Sequence, residues 1–97
     1  MKKMFVYILE CSDGSFYTGV TNNVDKRFMQ HVDGINPECY TFKKRPLKLV
    51  YFEPFYDALS AINFEKKLKR WSHEKKKALI NKDYNLLKSL SKKQFKK

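Results

Sequence analysis

A chain of 97 residues suits one domain and leaves little room for a second, and its 42% hydrophobic content supplies a modest core. No apolar run approaches the roughly 18 residues of a membrane span and the N-terminus lacks a signal-peptide pattern, so a cytoplasmic protein without a membrane partner is expected. The net charge of +11 resides wholly in residues 66–97, with thirteen Lys and Arg against two Asp and Glu, and this predicts a polyanionic partner.

The beginning of the chain predicts a β-hairpin. Residues 4–9 form a continuous apolar, β-prone run, which is typical of a strand buried on both faces. A turn signal separates this run from residues 16–21, the returning strand. A two-residue turn would place Tyr7 and Tyr17 on opposite faces. A three-residue loop at 13–15, which pairs position 12 with 16, or a bulge would bring them to one face.

A helix is predicted next, over residues 23–33. Asn22 and Asn23 are candidate N-caps, and Gly34 is the candidate C-cap. The apolar positions that recur at helical spacing are Val24, Phe28, Met29 and Val32.

A loop and a third strand follow this helix. The loop covers residues 34–46, where Gly and Pro interrupt any regular pattern. The strand covers residues 47–55. Its alternation predicts one face with Leu47, Leu49, Tyr51 and Glu53, and the opposite face with Lys48, Val50 and Phe52.

The last part of the chain predicts three helices and a tail. Asp57, Ser72 and Asp83 are candidate caps for helices over 58–71, 73–81 and 83–90. The predicted fold is therefore α+β, with a small three-stranded antiparallel sheet flanked by helices in one domain over residues 1–90. Residues 91–97 are expected to form a basic, flexible tail.

Arg27 and His31 lie four residues apart and therefore on one face of their predicted helix. Burying an Arg and a His among apolar positions is costly unless they face an anion. Either they face an anionic ligand or they lie in solvent at the helix edge, and the spacing leaves both interpretations open.

Glu65 interrupts the apolar stripe of the predicted helix at 58–71. The inward face of that helix is expected to contain Ala58, Ala61, Ile62 and Leu68. A carboxylate on such a face requires a cation, which is either Arg27 in a structural salt bridge or a divalent metal ion. A site with few carboxylates that retains several waters is typical of magnesium.

The basic residues after position 65 fall on two predicted helices. Eighteen Lys against three Arg favour sequence-independent contacts to phosphates, and a solvated lysine-rich tail is the alternative. Trp71 either stacks on a base or, as is commoner, belongs to the core. The two cysteines, Cys11 and Cys39, are expected to be buried and reduced. The predicted nucleic-acid-binding residues are Lys66, Lys67, Lys69, Arg70, Lys75, Lys76 and Lys77.

The ordered set of candidate residues resembles the motif pattern of the GIY-YIG nuclease superfamily. That set is Phe5-Val6-Tyr7, Tyr17-Thr18-Gly19, Arg27-x-x-x-His31 and Glu65. Longer segments at 6–9, 17–22 and 67–72 resemble small single-domain members related to the GIY-YIG module of the excision-repair nuclease subunit. The resemblance covers about residues 3–82 of this sequence.

The resemblance implies a divalent-metal-dependent endonuclease, with Glu65 as the main protein ligand of one Mg²⁺ or Mn²⁺. Tyr7 and Tyr17 would organise or deprotonate the attacking water. Arg27 would hold the scissile phosphate, and His31 would share the proton transfer. A tyrosine that acts as a base needs its pKa of about 10 lowered, and nearby Arg27 or the metal is expected to lower it.

Three features depart from the family pattern. They are Phe5 in place of the first Gly, Val20 in place of a Lys that many members carry, and the Lys75–Lys77 run where many carry an Asn. The leading interpretation is an endonuclease that cuts DNA with low sequence specificity and is linked to repair or recombination. The alternative is a nucleic-acid-binding module of the same fold with reduced or lost catalysis. RNA as the ligand, and a protein partner or a homodimer, stay open.

Overall fold

The computed structural model describes residues 3–35 and 38–95 of the chain. The predicted order of strands and helices is confirmed, and a short 3-10 turn is added to it. In chain order the elements are β1 Met4–Glu10, β2 Phe16–Thr21, α1 Val24–Asp33, the 3-10 turn Phe42–Lys44, β3 Lys48–Phe55, α2 Ala58–Lys69, α3 His73–Ile80 and α4 Tyr84–Phe95.

Strand β1 is the central strand of an antiparallel sheet with the order β2-β1-β3. Its residues 6–9 are at most 1% exposed, which confirms the prediction of a strand buried on both faces. One face carries Val6 and Ile8, which pack against α2 and α3. The other face carries Tyr7 and Leu9, which pack against Phe28 of α1.

The β1–β2 hairpin brings Tyr7 and Tyr17 to the same face of the sheet. Glu10 pairs with Phe16, so the connection is the five residues 11–15, and Tyr7 lies opposite Gly19. This loop is longer than the predicted loop at 13–15. Because it preserves the alternation, it gives the shared face without a bulge between β1 and β2.

The predicted alternation of β3 is wrong beyond Leu49. Leu9 pairs with Leu49 but Ile8 pairs with Tyr51, so Val50 is the extra residue of a β-bulge. Leu49 therefore packs on the face of Tyr7 and Leu9, whereas Tyr51 packs on the opposite face. Leu47 precedes the strand and is buried with the Tyr7 cluster.

Helix α1 begins and ends where its caps predict. The side chain of Asn23 accepts from the N–H of Lys26 at 3.0 Å, and Gly34 has the left-handed φ of 66° that favours glycine at a C-cap. The predicted apolar stripe, however, does not cover the sheet, since Met29 and Val32 are 50% and 36% exposed. The helix is turned so that Phe28 and His31 face inward.

The boundaries of the later helices differ slightly from the prediction. Helix α2 ends at Lys69 because the N–H groups of Arg70 and Trp71 bond carbonyls three residues back, which tightens the last turn. Of the predicted inward face of α2, Ala61 and Leu68 are buried, but Ala58 and Ile62 are exposed. Helix α4 continues to Phe95, so residues 91–95 are helical and do not begin a tail. Lys96 and Lys97 of the predicted tail lie outside the described residues.

No helix within residues 3–35 and 38–95 combines the length and apolar character needed to cross a membrane.

Replacing Thr18 by Val is expected to raise the free energy of unfolding by about 1 kcal/mol. Thr18 is 3% exposed, and within the described chain its Oγ1 has no hydrogen-bond partner. Burying an unpaired hydroxyl costs on the order of 1–3 kcal/mol, and Val has nearly the same shape without that cost. Urea denaturation measures the change.

Thr21→Val is the matched control for this substitution. Thr21 is 5% exposed on the same strand, but its Oγ1 accepts from the N–H of Asn23 at 3.1 Å. The same chemical change should therefore lower stability by about 1 kcal/mol. Equal effects at the two threonines would contradict the difference in hydrogen bonding.

Candidate active site

Gly19 allows the ring of Tyr7 to lie across strand β2. The two residues are cross-strand partners, and a Cβ at Gly19 would lie 2.5 Å from Cζ of Tyr7. No side chain fits in that space, so the glycine of Tyr17-Thr18-Gly19 determines where the phenol of Tyr7 points. Tyr7 itself is 1% exposed.

Replacing Gly19 by Ala is expected to cost about 1–3 kcal/mol of stability, since the methyl group must push the Tyr7 ring aside. Urea denaturation of the single variants and of the Tyr7→Ala, Gly19→Ala double variant measures the effect. With the Tyr7 ring absent, the added methyl group should carry little penalty. An unchanged penalty in the double variant would show that backbone strain, and not the Tyr7 contact, excludes a side chain at Gly19.

His31 is held at the centre of a buried hydrogen-bonded cluster. Its Nε2 lies 3.0 Å from the Tyr7 hydroxyl, and its Nδ1 lies 2.7 Å from Oγ1 of Thr41. Its ring also packs edge-on against Tyr17, with centroids 5.2 Å apart and an interplanar angle of 61°. His31 is 7% exposed, so the interpretation that both helix residues lie in solvent is wrong for His31. The side chain of Arg27 is exposed and lines a cleft, so both interpretations stay open for it.

Arg27 lies beside the buried tyrosines. Burial raises the pKa of Tyr7 above its ordinary value, and the nearby positive charge of Arg27 lowers it by a smaller amount. Burial raises the pKa of Tyr17 in the same way. Arg27 thus lowers the pKa of both tyrosines, as expected, but burial outweighs it and keeps both phenols neutral near pH 7.

The imidazole of His31 is neutral near pH 7. Burial lowers its pKa below 6.5, and the positive charge of Arg27 lowers it further. A neutral imidazole has one nitrogen that accepts a hydrogen bond and one that donates. His31 is thus able to receive a proton from the side of Tyr7.

A cleft of about 410 Å³ opens beside this cluster. Tyr17, Arg27 and His31 form part of its wall, so three of the predicted site residues are brought together at one concave surface. Most of the remaining wall comes from the loop after α1, which is predicted only as a connection. The remaining residues that line the cleft are Gln30, Gly34, Ile35, Cys39, Thr41 and Phe42.

Glu65 is buried on the inward face of α2, between Ala61 and Leu68, as the interrupted stripe predicts. Its cation, however, is neither of the two that the sequence analysis considered. Lys69, one turn later, donates to Oε2 of Glu65 at 2.8 Å. Glu65 does not line the cleft, but Glu65 and Lys69 both lie near enough to Tyr17 to affect its pKa. Tyr17 therefore connects the Glu65–Lys69 pair to the cleft.

A divalent metal at this site would have one protein carboxylate. Among residues 3–35 and 38–95 there is no group of three or more His, Cys, Asp and Glu side chains that could hold an ion. Sites with one or two carboxylates, completed by waters and substrate phosphates, are the mode that Mg²⁺ uses. The donor set at Glu65 fits such an ion, in competition with Lys69.

The predicted nucleic-acid-binding residues divide into three groups. Lys75 is 4% exposed, with its ammonium 4.2 Å from the centre of the Trp71 ring, so it does not belong on an open phosphate-binding surface. Trp71 packs against the core, the commoner of its two interpretations. Lys76 is half-buried near Tyr40 and Lys69. The exposed members are Lys66, Lys67, Lys69, Arg70 and Lys77.

Tyr40 and Lys44 extend the charged rim of the cleft. The ring of Tyr40 stacks on Tyr17 at 6.0 Å with an interplanar angle of 19°, and the Lys44 ammonium lies 4.7 Å from the Tyr40 ring centre. A salt bridge with Asp13 fixes Lys44 against the hairpin loop. The spacing of these loop residues carries no periodic signal, so only the folded structure brings them to the site.

The sequence profile described as the GIY-YIG catalytic domain matches residues 3–78 of this chain. A UPF0213 protein of Staphylococcus saprophyticus is 40% identical over 81 residues, which are 84% of this chain and 98% of that protein. A UPF0213 protein of Syntrophus aciditrophicus is 44% identical over 81 residues, or 82% of this chain and 92% of that protein.

Two solved structures share the fold. The UPF0213 protein of Bacillus halodurans, solved by solution NMR, superposes with a TM-score of 0.53 at 39% identity and covers 81% of this chain and 83% of its own. A protein of E. faecalis, also solved by solution NMR, gives a TM-score of 0.60 at 27% identity, with coverage of 87% and 88%.

Proposed function

The chain belongs to the GIY-YIG catalytic domain family, and from that premise we propose that it is a divalent-metal-dependent endonuclease that hydrolyses phosphodiester bonds in DNA with low sequence specificity. A role in repair or recombination and a cytoplasmic location are part of the proposal. The observation that carries it is the pairing of Tyr7 with His31 beside the exposed guanidinium of Arg27. This arrangement combines a proton acceptor with a phosphate-binding group.

Arg27 is the group that binds the scissile phosphate. A guanidinium offers a planar fork of donors to two phosphate oxygens, and this one projects into the cleft. Because Arg27 and His31 line the same cleft and Tyr7 hydrogen-bonds His31, a phosphate on Arg27 lies close to the Tyr7–His31 pair. Binding and proton transfer thus occur at one place.

The proton of the attacking water leaves through Tyr7. The water oxygen bonds to phosphorus while one of its protons passes to the Tyr7 oxygen, and the proton of Tyr7 passes to Nε2 of His31. The bond from phosphorus to the leaving oxygen then breaks, and that oxygen takes a proton from solvent. His31 ends the step as an imidazolium, so Tyr7 transmits the proton without becoming a free phenolate.

Glu65 is the residue that would hold Mg²⁺ or Mn²⁺. The metal, when bound, would polarise the phosphate and stabilise the leaving oxygen. Lys69 neutralises the Glu65 carboxylate in the free protein and must share it or withdraw from it. Once displaced, Lys69 is available to contact phosphate, as are the exposed basic residues near it on α2.

Nicking of supercoiled plasmid DNA tests the proposed function. The purified chain is incubated with Mg²⁺, with Mn²⁺ or with EDTA, and the products are separated on gels. Tyr51→Phe is the matched control, because Tyr51 also donates a hydrogen bond, to Glu53 at 3.1 Å, but lies on β3 outside the cleft. Nicking that needs metal and survives this control supports the proposal. If the protein nicks DNA neither with Mg²⁺ nor with Mn²⁺, the proposal is contradicted.

The nicking rate is expected to fall in acid with a midpoint below pH 6.5. His31 must be neutral to accept the proton, and burial together with Arg27 lowers its pKa from the ordinary value. Acid therefore protonates His31 and removes the acceptor only below that value. A pH–rate profile of kcat/KM measures the midpoint. A midpoint above 6.5, or the same acid limb in His31→Gln, would contradict this role of His31.

One observation favours the second candidate function, a nucleic-acid-binding module without catalysis. The Lys69 ammonium already satisfies Glu65, so the protein has no structural need of a metal there. A pure binder should show affinity for duplex DNA that falls with salt, with a slope of about −0.9 for each phosphate contacted, and no metal-dependent nicking.

A further inference from the structure

Thr41 is the most buried polar residue next to the proposed proton acceptor. It is 1% exposed and lies at the start of the 3-10 turn, at the N-cap of Phe42–Lys44. Its Oγ1 is 2.7 Å from Nδ1 of His31 and 3.5 Å from Sγ of Cys39. The side chain thus touches the far side of the imidazole from Tyr7.

The hydrogen atoms of this cluster can be placed by elimination. Tyr7 is 1% exposed, and Nε2 of His31, 3.0 Å from its oxygen, is the acceptor that the cluster offers to its hydroxyl proton, so that proton is directed to His31. Nε2 of His31 is then the acceptor, and the single proton of the neutral imidazole lies on Nδ1. That proton is donated to Oγ1 of Thr41, which also shares a hydrogen bond with the sulfur of Cys39.

The reverse arrangement leaves a proton unpaired. If Nε2 carried the proton, the Tyr7 oxygen would accept from His31, and the buried Tyr7 hydroxyl would have no acceptor in the cluster. An unsatisfied buried donor costs about 1–3 kcal/mol. The geometry therefore selects one tautomer of His31.

We propose that Thr41 is a positioning residue that fixes His31 in the tautomer protonated at Nδ1, and so keeps Nε2 open to the proton of Tyr7. The effect of Thr41 on catalysis rests on the proposed function. The tautomer of His31 does not, because it is a property of the free protein. Thr41 does not touch the substrate. It acts through the imidazole, as the outer partner of a functional histidine commonly does.

His73 supplies an internal reference for the tautomer. Its Nε2 lies 2.9 Å from the carbonyl oxygen of Gly14, which only accepts, so neutral His73 must carry its proton on Nε2. His31 and His73 are the only two histidines of the chain, and they are expected to be opposite tautomers. One spectrum therefore contains both signatures.

The experiment is a long-range ¹H–¹⁵N correlation spectrum of the imidazoles of the metal-free protein, recorded at about pH 8.5, where an unperturbed histidine is neutral. His31→Gln and His73→Gln assign the signals. His31 is expected to show a protonated Nδ1 and an unprotonated Nε2, and His73 the reverse. In Thr41→Val the ¹⁵N chemical shifts of His31 should move toward the values of a mixture of tautomers. Thr41→Ser should restore the wild-type values.

Activity supplies the second readout. Thr41→Val is expected to lower kcat about ten- to a hundredfold with little change in KM, the range typical of losing an outer hydrogen-bond partner, and Thr41→Ser should recover most of it. A wild-type His31 protonated at Nε2, or an unchanged tautomer in Thr41→Val, overturns the inference even if the protein is an active nuclease. Conversely, the predicted tautomers in a protein that does not nick DNA would uphold the hydrogen-bond order and refute the proposed function.

Discussion

Replacing Glu65 by Gln is expected to reduce Mg²⁺-dependent nicking by about a thousandfold. A bound metal stabilises the transition state of phosphate cleavage by several kcal/mol, and each 1.36 kcal/mol corresponds to a factor of ten in rate. Glutamine keeps the size of the side chain but removes the charge that would hold the ion. Initial rates on supercoiled plasmid, at saturating Mg²⁺, measure the loss.

Lys69→Met is the companion variant for this prediction. It keeps the Glu65 carboxylate but removes the ammonium that pairs with Oε2. Mn²⁺ affinity, followed by titration calorimetry, is expected to rise in Lys69→Met and to fall in Glu65→Gln. If the two substitutions changed metal affinity in the same direction, Glu65 would not be the residue at which Lys69 and the metal compete. Wild-type nicking by Glu65→Gln would rule out a catalytic metal on Glu65.

Tyr7→Phe is expected to reduce nicking by about a hundred- to ten-thousandfold. The substitution removes the oxygen through which the proton reaches His31, and general acid–base contributions are commonly of that size. It also leaves Nε2 of His31 without its donor, which should cost about 1–3 kcal/mol of stability. Single-turnover rates on a labelled duplex, together with urea denaturation, separate the two effects.

Tyr17→Phe provides the comparison within the site. Tyr17 lines the cleft and packs against the His31 ring, but it is not a member of the hydrogen-bonded series Tyr7–His31–Thr41–Cys39. Its hydroxyl lies near Glu65 and Lys69, so its removal should chiefly weaken metal or phosphate binding. A larger loss in kcat from Tyr17→Phe than from Tyr7→Phe would show that the proton leaves through Tyr17 instead.

The fold could be predicted from the sequence because its elements depend on local signals. The apolar run of β1 has only one suitable environment, the centre of the sheet. Helices α1, α2 and α3 begin after Asn23, Asp57 and Ser72, whose side chains each accept a backbone N–H of the first turn. Such signals depend on residues a few positions apart, so they can be recognised without knowledge of the rest of the structure.

The site could be predicted only in part. The positions of Tyr7, Arg27 and Glu65 follow from the motif order, and Glu65 also from the apolar stripe that it interrupts. That His31 is buried does not follow, because its helix has a competing apolar face at Met29 and Val32 that the structure leaves exposed. The rotation of a helix about its own axis is set by the sheet on which it packs, not by its own periodicity alone.

Two partners of the site residues were not predicted from the sequence, one for lack of any signal and one despite a signal. Thr41 reaches His31 through the fold of a loop, and loop side chains have no fixed period. Lys69 was recognised as a cation, but its position one turn after Glu65 makes it the nearest partner, closer in the chain than Arg27. The i, i+4 spacing of Glu65 and Lys69 was the available signal for this salt bridge, and it favours Lys69 over Arg27 as the partner of Glu65.

The bulge at Val50 has a consequence for how the molecule behaves among its own copies. Strand β3 is an outer strand of the sheet, and outer strands offer unpaired backbone groups to any other extended chain. The extra residue disturbs the spacing of those groups midway along the strand, and Pro54 contributes no N–H near its end. A second chain cannot pair in regular register along the β3 edge. The irregularity that places Leu49 and Tyr51 on opposite faces thus also hinders another chain from pairing with the β3 edge of the sheet.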